Sequence, residues 1–419
     1  MSEALRIIHV PRRFALDEWG GTESVVYHLC DEQARAGFKP EIHTSQALAK
    51  TSQEIWRNIP IHRYRHCYPF FGLSNEDILS LDKKGGNLLS IALYRSLRGM
   101  RDVRLFHAHV TKRMGGSVMV AAHKRKCPFV VTLHGNIFDV PKLEAASIVE
   151  AQQGHFEWGK PFGAFFRSRH VLDEADAVVC VGWSEYQKAS KALGAERVHH
   201  LPNGVNPDLF GGGDGSIVRS RLGIDQDTFV FGCISRIDPQ KNQLLLVSAL
   251  AKLVADGIKV AVILAGPVTN PDYLEQIELA VAKANLQNSF RILPAVEVES
   301  EEHRSTLAAL DCFVLPSRHE PFGIVILEAW AAGVPVVASN VGGLSRLICN
   351  EQNGLHFRDG NTEDLVEKIS FLMKNSELCN SLIENGNIEV RSNYCWSAIA
   401  EKQEIIYQDA EKQLLNRSS

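Results

Sequence analysis

Short apolar runs rich in β-branched residues recur along this chain, and amphipathic stretches of helical period lie between them. One series comprises "LRIIHV" (5–10), "VRLFHAHV" (103–110), "FVVTL" (129–133), "AVVCVG" (177–182) and "VHHLP" (198–202). A second comprises "TFVFGCIS" (228–235), "KVAVILAG" (259–266), "FRILPA" (290–295), "CFVLPS" (312–317) and "PVVAS" (335–339). Continuous apolar runs read as strands buried on both faces, and the helices between them serve as parallel crossovers. The pattern calls for an α/β fold of doubly wound sheets, one per series. A length of 419 residues is comfortable for two such domains. The stretch "NGVNPDLFGGGDGS" (203–216), full of turn formers, reads as the hinge. The expected division is 1–205 and 206–394. The helix pattern within 395–419 has no strand after it and is expected to pack back on the first domain.

Composition narrows the class. The chain is 45% hydrophobic and 22% charged with net charge −4, so no global positive field draws it to nucleic acid or membrane. Nine cysteines are scattered singly without a C-x-x-C pair, which fits neither a disulfide framework nor a zinc site. The reading is a reducing, cytoplasmic setting with membrane contact at most peripheral, at the inner face. The N-terminus lacks a signal-peptide layout, and no apolar run approaches 18 residues. The basic run "HKRK" (123–126) reads as a helix C-terminus complementing the macrodipole. "IHRYRHCYPFFG" (61–72) reads as a solvated loop over a core edge.

Chemistry gathers after the strands of the second series. The loop "RHEPFG" follows the strand ending at Ser317, and "IVILEAWAAG" begins a helix that Gly333 and Pro335 end. Open α/β sheets bind ligands at the carboxyl ends of their strands. Free N–H groups at Gly323, Ile324 and Val325 would favour an anion there. Glu320 and Glu328 are placed to grip hydroxyls on either side of it. "CISRIDPQKNQ" puts Arg236 and Lys241 after another strand, five residues apart and able to reach one diphosphate. Its helix is expected from Asn242.

The first series has parallels. "DEWGGTESVVYHL" sets Gly20 and Gly21 before a helix expected from Thr22, read as its N-cap. Trp19 is a candidate platform for a sugar face. "VVTLHGN" puts His134 directly after a buried strand with Asn136 two residues on, and "FHAHV" does the same for His107 and His109.

The block E-P-F-G-I-V-x-L-E-A-x-A-A-G-V-P-V-V-A-S resembles the E-x7-E signature of retaining glycosyltransferases of family 4. "LPNGV" (201–205) resembles that family's stretch before its inter-domain linker. The resemblance spans nearly the whole chain and implies the GT-B architecture, two facing Rossmann-like domains with a cleft between them. It implies transfer of a sugar from a nucleotide diphospho-sugar, UDP- or GDP-linked, to a sugar, glycan or lipid-linked acceptor. It places Arg236 and Lys241 on the diphosphate, and Glu320 and His134 at the transferring sugar. Phe322, Gly323, Ile324, Val325 and Glu328 join them in the donor site, and Gly20 and Gly21 meet the diphosphate when the cleft shuts. Base contacts are expected from backbone near Gly266 and Pro294. Trp19, His109 and Asn136 fall on the acceptor side. No cofactor or metal is required, because the two cations take the metal's place. Alternatives of the same architecture are an epimerase of nucleotide-sugars and a non-catalytic sensor.

Other motifs fail. "DQD" (225–227) matches a bare D-x-D but sits in a turn. "DEAD" (173–176) has no G-x-x-x-x-G-K-[ST] to accompany it, and "GGGDGS" follows no strand directly.

Overall fold

The computed structural model describes residues 5–135 and 155–418. The chain divides into a discontinuous unit, Met1–Pro202 with Trp396–Ser419, and a continuous one, Asn203–Cys395. The sequence reading set these divisions at 205/206 and 394/395.

The first unit is built on an eight-stranded sheet. Its strands are β1 (Arg6–Val10), β2 (Lys39–Ser45), β3 (Gln53–Trp56), β4 (Ile59–Tyr64), β5 (Val103–Ala108), β6 (Phe129–Leu133), β7 (Ala177–Cys180) and β8 (Val198–His200). The order is β3-β4-β2-β1-β5-β6-β7-β8. Every pairing is parallel except β3 with β4. The reading missed β2 to β4, whose sequences mix apolar residues with Glu, His and Arg. The view of 61–72 as a solvated loop is corrected: Ile61 is fully buried in β4. The guanidinium of Arg63 donates to the carbonyl of Phe14 at 2.8 Å.

The terminal helix, Trp396–Ser418, completes this unit. Trp396, Ile399, Ile406 and Tyr407 are buried with Ile7, Val25, Leu29, Leu105 and Val130. Arg104 anchors it by paired bonds to Glu404 (2.7 and 2.8 Å) and a bond to Glu411 (2.8 Å). Truncating a buried tryptophan such as Trp396 costs about 3–5 kcal/mol.

The second unit is a six-stranded parallel sheet of β9 (Phe229–Ile234), β10 (Val260–Ala265), β11 (Phe290–Leu293), β12 (Cys312–Leu315), β13 (Val336–Ser339) and β14 (Leu355–Phe357). The order β11-β10-β9-β12-β13-β14 reverses between β9 and β12. In the first unit the reversal lies between β1 and β5. Such reversals open crevices at the carboxyl ends of the strands.

The stretch 203–216, read as the hinge, opens the second unit and is packed within it. A Cβ on Gly213 would stand 2.3 Å from the carbonyl oxygen of Arg304. The next residue, Asp214, donates its N–H to Ser305 Oγ at 3.1 Å. Among the described residues, no helix is long and apolar enough to cross a membrane.

Candidate functional site

The loop after β9 is held by its own side chains. Asp238 Oδ1 accepts the N–H groups of Gln240 (2.9 Å) and Lys241 (3.2 Å). Buried Gln243 donates to the carbonyl of Arg236 at 2.7 Å. Asn242 is left-handed at φ 56°, so the helix starts at Leu244 rather than at Asn242. The loop after β12 is tied to this one: Arg318 N–H donates to Gln240 O (2.9 Å), and Gln240 Nε2 donates to His319 O (3.0 Å).

The consequence is a contact between the two motifs. Lys241 Nζ donates to Glu320 Oε2 at 2.5 Å, and Ser317 Oγ reaches the same oxygen at 3.4 Å. Glu320 is only 9% exposed. Arg236 is half-exposed and pairs with Asp238 at 3.5 Å. Helix Ile324–Ala331 starts beside them, with Gly323 at φ 94° as an N-cap that supplies no side chain. Its first N–H groups have no intrahelical acceptor, and its positive end favours an anion. Phe322 is buried, its ring 5.9 Å from that of Tyr394.

A second glycine pair pins this loop, and the sequence reading passed over it. Gly343 N–H donates to Glu320 O at 2.7 Å. A Cβ there would stand 2.2 Å from the carbonyl oxygen of Pro321. The signal was "NVGG" directly after the strand "VVAS". Gly266 ends β10 at φ 142° against the carbonyl of Ser235, and Pro294 lies exposed just past β11.

Glu328, read as a hydroxyl-gripping carboxylate, is 7% exposed and faces His303, with Nε2 to Oε2 3.7 Å. His303 Nδ1 accepts the N–H of Glu299 at 3.2 Å, so its proton lies on Nε2. Burial, with the charge of Glu299 second, raises Glu328 to about 8. Burial lowers His303 to about 4. Near neutral pH both groups are uncharged, and Glu328 has a proton to donate.

In the first unit, helix Gly21–Arg35 begins one residue before Thr22, with Gly20 as N-cap in an extended conformation. Glu23 is buried here, pairs with Arg13 at 3.2 Å, and accepts backbone N–H groups of Gly20 and of itself. Burial raises its pKa. The helix end offered to a donor phosphate thus already holds a carboxylate of the chain. Trp19, read as a candidate sugar platform, is half-buried and packed among aromatic rings. Its ring lies 4.8 Å from Trp56 and 5.4 Å from Phe14, within an aromatic cluster that includes Tyr27.

His134 and His109 belong to a buried hydrogen-bonded chain. Gln33 Nε2 donates to the Tyr407 hydroxyl at 3.2 Å, so Gln33 Oε1 accepts from His9 Nε2 at 2.8 Å. His9 Nδ1 then accepts from His109 Nε2 at 3.1 Å, and His109 Nδ1 accepts from His134 Nε2 at 3.2 Å. Each neutral imidazole carries one proton, so this sense leaves His134 Nδ1 as an acceptor. Tyr407 O–H donates to His107 Nδ1 (2.8 Å), and His107 Nε2–H donates to Thr132 Oγ1 (2.7 Å). Burial lowers His9 and His134 to about 4 and holds His107 and His109 well below the ordinary value. His9, His107 and His109 have ring nitrogens within 4.8 Å of one another, a spacing that suits a metal ion. All six of their nitrogens are already engaged in the chain. Gly135 N–H donates to buried Glu185 at 2.9 Å, fixing the turn after β6. Asn136 lies outside the described residues.

Both units thus place candidate ligand groups at the carboxyl ends of strands in doubly wound sheets. Residues 19–209 match the family model for Glycosyltransferase Family 4, and residues 216–388 match that for glycosyl transferases group 1. The chain is 32% identical over 374 residues to a D-inositol 3-phosphate glycosyltransferase of Geodermatophilus obscurus, covering 86% of this chain and 79% of that one. It is 28% identical to one from Stackebrandtia nassauensis over 406 residues, 93% of this chain and 87% of the relative. Among solved structures, Anabaena HepE in complex with UDP and glucose matches with TM-score 0.70 at 19% identity, covering 96% of this chain and 98% of that one. A Rickettsia africae glycosyltransferase matches with TM-score 0.73 at 18% identity, covering 98% and 99%. The fold and its site loops define a GT-B-type glycosyltransferase. The chain belongs to glycosyltransferase family 4.

Proposed function

We propose that the chain transfers a glycosyl group from a UDP- or GDP-sugar to a hydroxyl of a sugar, glycan or lipid-linked acceptor, with retention of anomeric configuration. The setting is the cytoplasm, in synthesis of a polysaccharide or glycoconjugate. The observation that carries this reading is the contact of Lys241 with Glu320, beside Arg236 and an uncapped helix end. A cation and a carboxylate side by side supply one group suited to a diphosphate and one suited to a sugar hydroxyl. A neighbour described with UDP and glucose, and relatives named for D-inositol 3-phosphate, support the choice of donor and acceptor.

In the reaction, the bond from sugar C1 to the β-phosphate oxygen breaks, and a bond from the acceptor oxygen to C1 forms on the same face. The acceptor proton passes to the departing phosphate oxygen. Arg236, Lys241 and the N–H groups at Gly323 to Val325 stabilise the charge growing on that oxygen, in the place of a metal ion. Preorganised donors of this kind contribute about 3–4 kcal/mol each. Glu320 grips a donor-sugar hydroxyl, and Glu328, once hydrogen-bonded, holds the ribose diol. His134 is assigned to the transferring sugar on the family resemblance, as a neutral hydrogen-bonding group.

The test is incubation with a panel of UDP- and GDP-sugars and acceptors, followed by mass spectrometry and NMR of the product's anomeric centre. A new glycoside with the donor's configuration is expected. An inverted product overturns the mechanism, and conversion of donor alone into an isomer overturns the transferase reading.

A further inference from the structure

A polar cluster that the transfer chemistry does not use lies on one face of β2 and β4. Glu41 and His43 alternate along β2 with Ile42 and Thr44, which are fully buried on the opposite face. His62 stands opposite His43 in the parallel register, and the two imidazoles stack with centroids 4.6 Å apart. His43 Nε2 lies 3.1 Å from Glu41 Oε2, and His62 Nε2 lies 3.9 Å from the same oxygen. The three residues offer ligand atoms that all fall within 4.8 Å of one another. A tetrahedral ion with bonds of about 2.0–2.2 Å holds its ligand atoms roughly 3.3–3.6 Å apart, so small side-chain shifts would close this set around one. Arg6 fixes the carboxylate, its Nε and Nη2 donating to the two oxygens of Glu41 at 2.7 and 2.8 Å. Among the described residues, the ring nitrogens of His62 have no hydrogen-bond partner. The His62 side chain is 30% exposed, which gives an ion a way in from solvent.

The far side of His43 has the partners of a metal-ligating histidine. Its Nδ1 lies 2.9 Å from the Tyr64 hydroxyl, which lies 2.7 Å from Ser96 Oγ on helix Ile91–Gly99. A neutral imidazole carries one proton. With that proton on Nδ1, His43 donates to Tyr64, Tyr64 O–H donates to Ser96, and Nε2 keeps a lone pair for an ion. His62 offers Nε2 in the same way when its proton sits on Nδ1. Ligating histidines donate their second nitrogen to such a partner, and ligating carboxylates are themselves hydrogen-bonded, as Glu41 is by Arg6. We propose that Glu41 Oε2, His43 Nε2 and His62 Nε2 bind one divalent transition-metal ion of the zinc type, with water in the fourth position. Two imidazoles and a carboxylate select such an ion over Mg2+ or Ca2+. The ion replaces the hydrogen bond between His43 and Glu41 and fastens β2 to β4, independently of any sugar transfer.

The experiment uses the full chain, stripped with EDTA and dialysed, and three probes: ZnSO4, CoCl2 and MgCl2. Binding is read by calorimetry, by thermal shift and by the visible spectrum of bound Co2+. The native chain is compared with His62→Ala, Tyr64→Phe and His170→Ala. The native chain should take up one Zn2+, and its melting temperature should rise by several degrees at about 100 times the dissociation constant. Tyr64→Phe keeps all three ligands but removes the acceptor for His43 Nδ1, and should weaken binding roughly 10- to 100-fold; His62→Ala, which removes a ligand, should weaken it more. His170→Ala removes an exposed histidine paired with Asp173 outside the cluster and should change nothing. Zn2+ binding that survives intact in His62→Ala, or that is lost in His170→Ala, places the ion elsewhere and overturns the proposal. So does a native chain that binds no Zn2+ or binds Mg2+ as tightly. Should His62→Ala fail to fold, NMR of the native chain decides. Zn2+ must then shift the ring signals of His43 and His62 and leave those of His170 in place; the reverse pattern overturns the site.

Discussion

The crevice-forming ends of the two sheets treat ionisable side chains in opposite ways. In the second unit Lys241 and Glu320 face each other as charges, and Arg236 keeps its guanidinium half in water. In the first, four imidazoles lie hydrogen-bonded in one chain, all driven towards the neutral form by burial. A charge survives near a protein interior when a partner or water holds it, and is otherwise lost to desolvation. The second unit is therefore equipped to exchange one anion for another, and His134 to exchange hydrogen bonds without changing charge.

The largest test falls on the charged side. Arg236→Ala and Lys241→Ala should each lower turnover by roughly 10²–10³-fold. Their stabilities should differ. Losing Lys241 strands the carboxylate of Glu320 with little solvent, which costs about 3 kcal/mol. Losing half-exposed Arg236 should barely move the melting temperature. Lys241→Ala/Glu320→Gln should recover stability but not turnover. Near-normal transfer by either single variant would break the clamp assignment, and equal melting of the two would break the pairing argument.

The next test falls on the neutral side. Gln33→Met leaves the His9 proton and the Tyr407 hydroxyl without their shared partner, a loss of about 1–3 kcal/mol. In the native chain, 15N NMR should find His134 protonated on Nε2 and not titrating above pH 5, given its value of about 4. A midpoint near 6.5 would break the comparison. The sign for stability follows. Groups whose folded values lie below the ordinary 6.5 favour the fold above that pH, and that contribution is lost as pH falls towards 4. Acid should therefore loosen the first unit through these four histidines, with His43 and His199 lowered by burial in the same sense, and His303 acting the same way in the second.

Glu328 has the opposite sign. Its folded value, about 8 against an ordinary 4.5, favours the fold below pH 4.5, and that contribution is lost as pH rises through 8. Glu328→Gln should raise the melting temperature by a few degrees at pH 8 and hardly at all at pH 5. Equal shifts at both pH values would mean that Glu328 is ionised throughout.

These differences mark where the sequence could be read. Strands buried on both faces announce themselves as apolar runs, so β1 and β5 to β13 were legible, as were the loops bearing Arg236, Lys241 and Glu320. β2 and β4 were not, because Glu41, His43 and Arg63 interrupt the apolar pattern, and their polar groups find partners only in the folded sheet. The protonation of Glu328 and the linking of His9 to His134 through His109 were hidden for the same reason. Both depend on residues far apart in the chain, Glu299 and His303 in one case, Gln33 and Tyr407 in the other. Gly343 was visible as a letter but not as the clamp on Glu320, since its role lies in a close approach between backbones.

The smallest expected effect sharpens the comparison from outside both sites. Asp225 and Asp227 form the D-x-D triplet, a pattern that holds a metal in other glycosyltransferases. Here they are exposed and meet Lys259 at 2.9 and 2.5 Å, in the turn before β9. Exposed ion pairs are screened by water and salt and add little. Asp225→Asn/Asp227→Asn should leave turnover, melting temperature and any response to divalent cations unchanged. A large loss of turnover with the fold intact would mean that these carboxylates reach the donor phosphates through a cation. Lys241 and Arg236 would then not suffice for the charge on the leaving group, and the contrast between a paired-charge end and a neutral one would have to be redrawn around a third element.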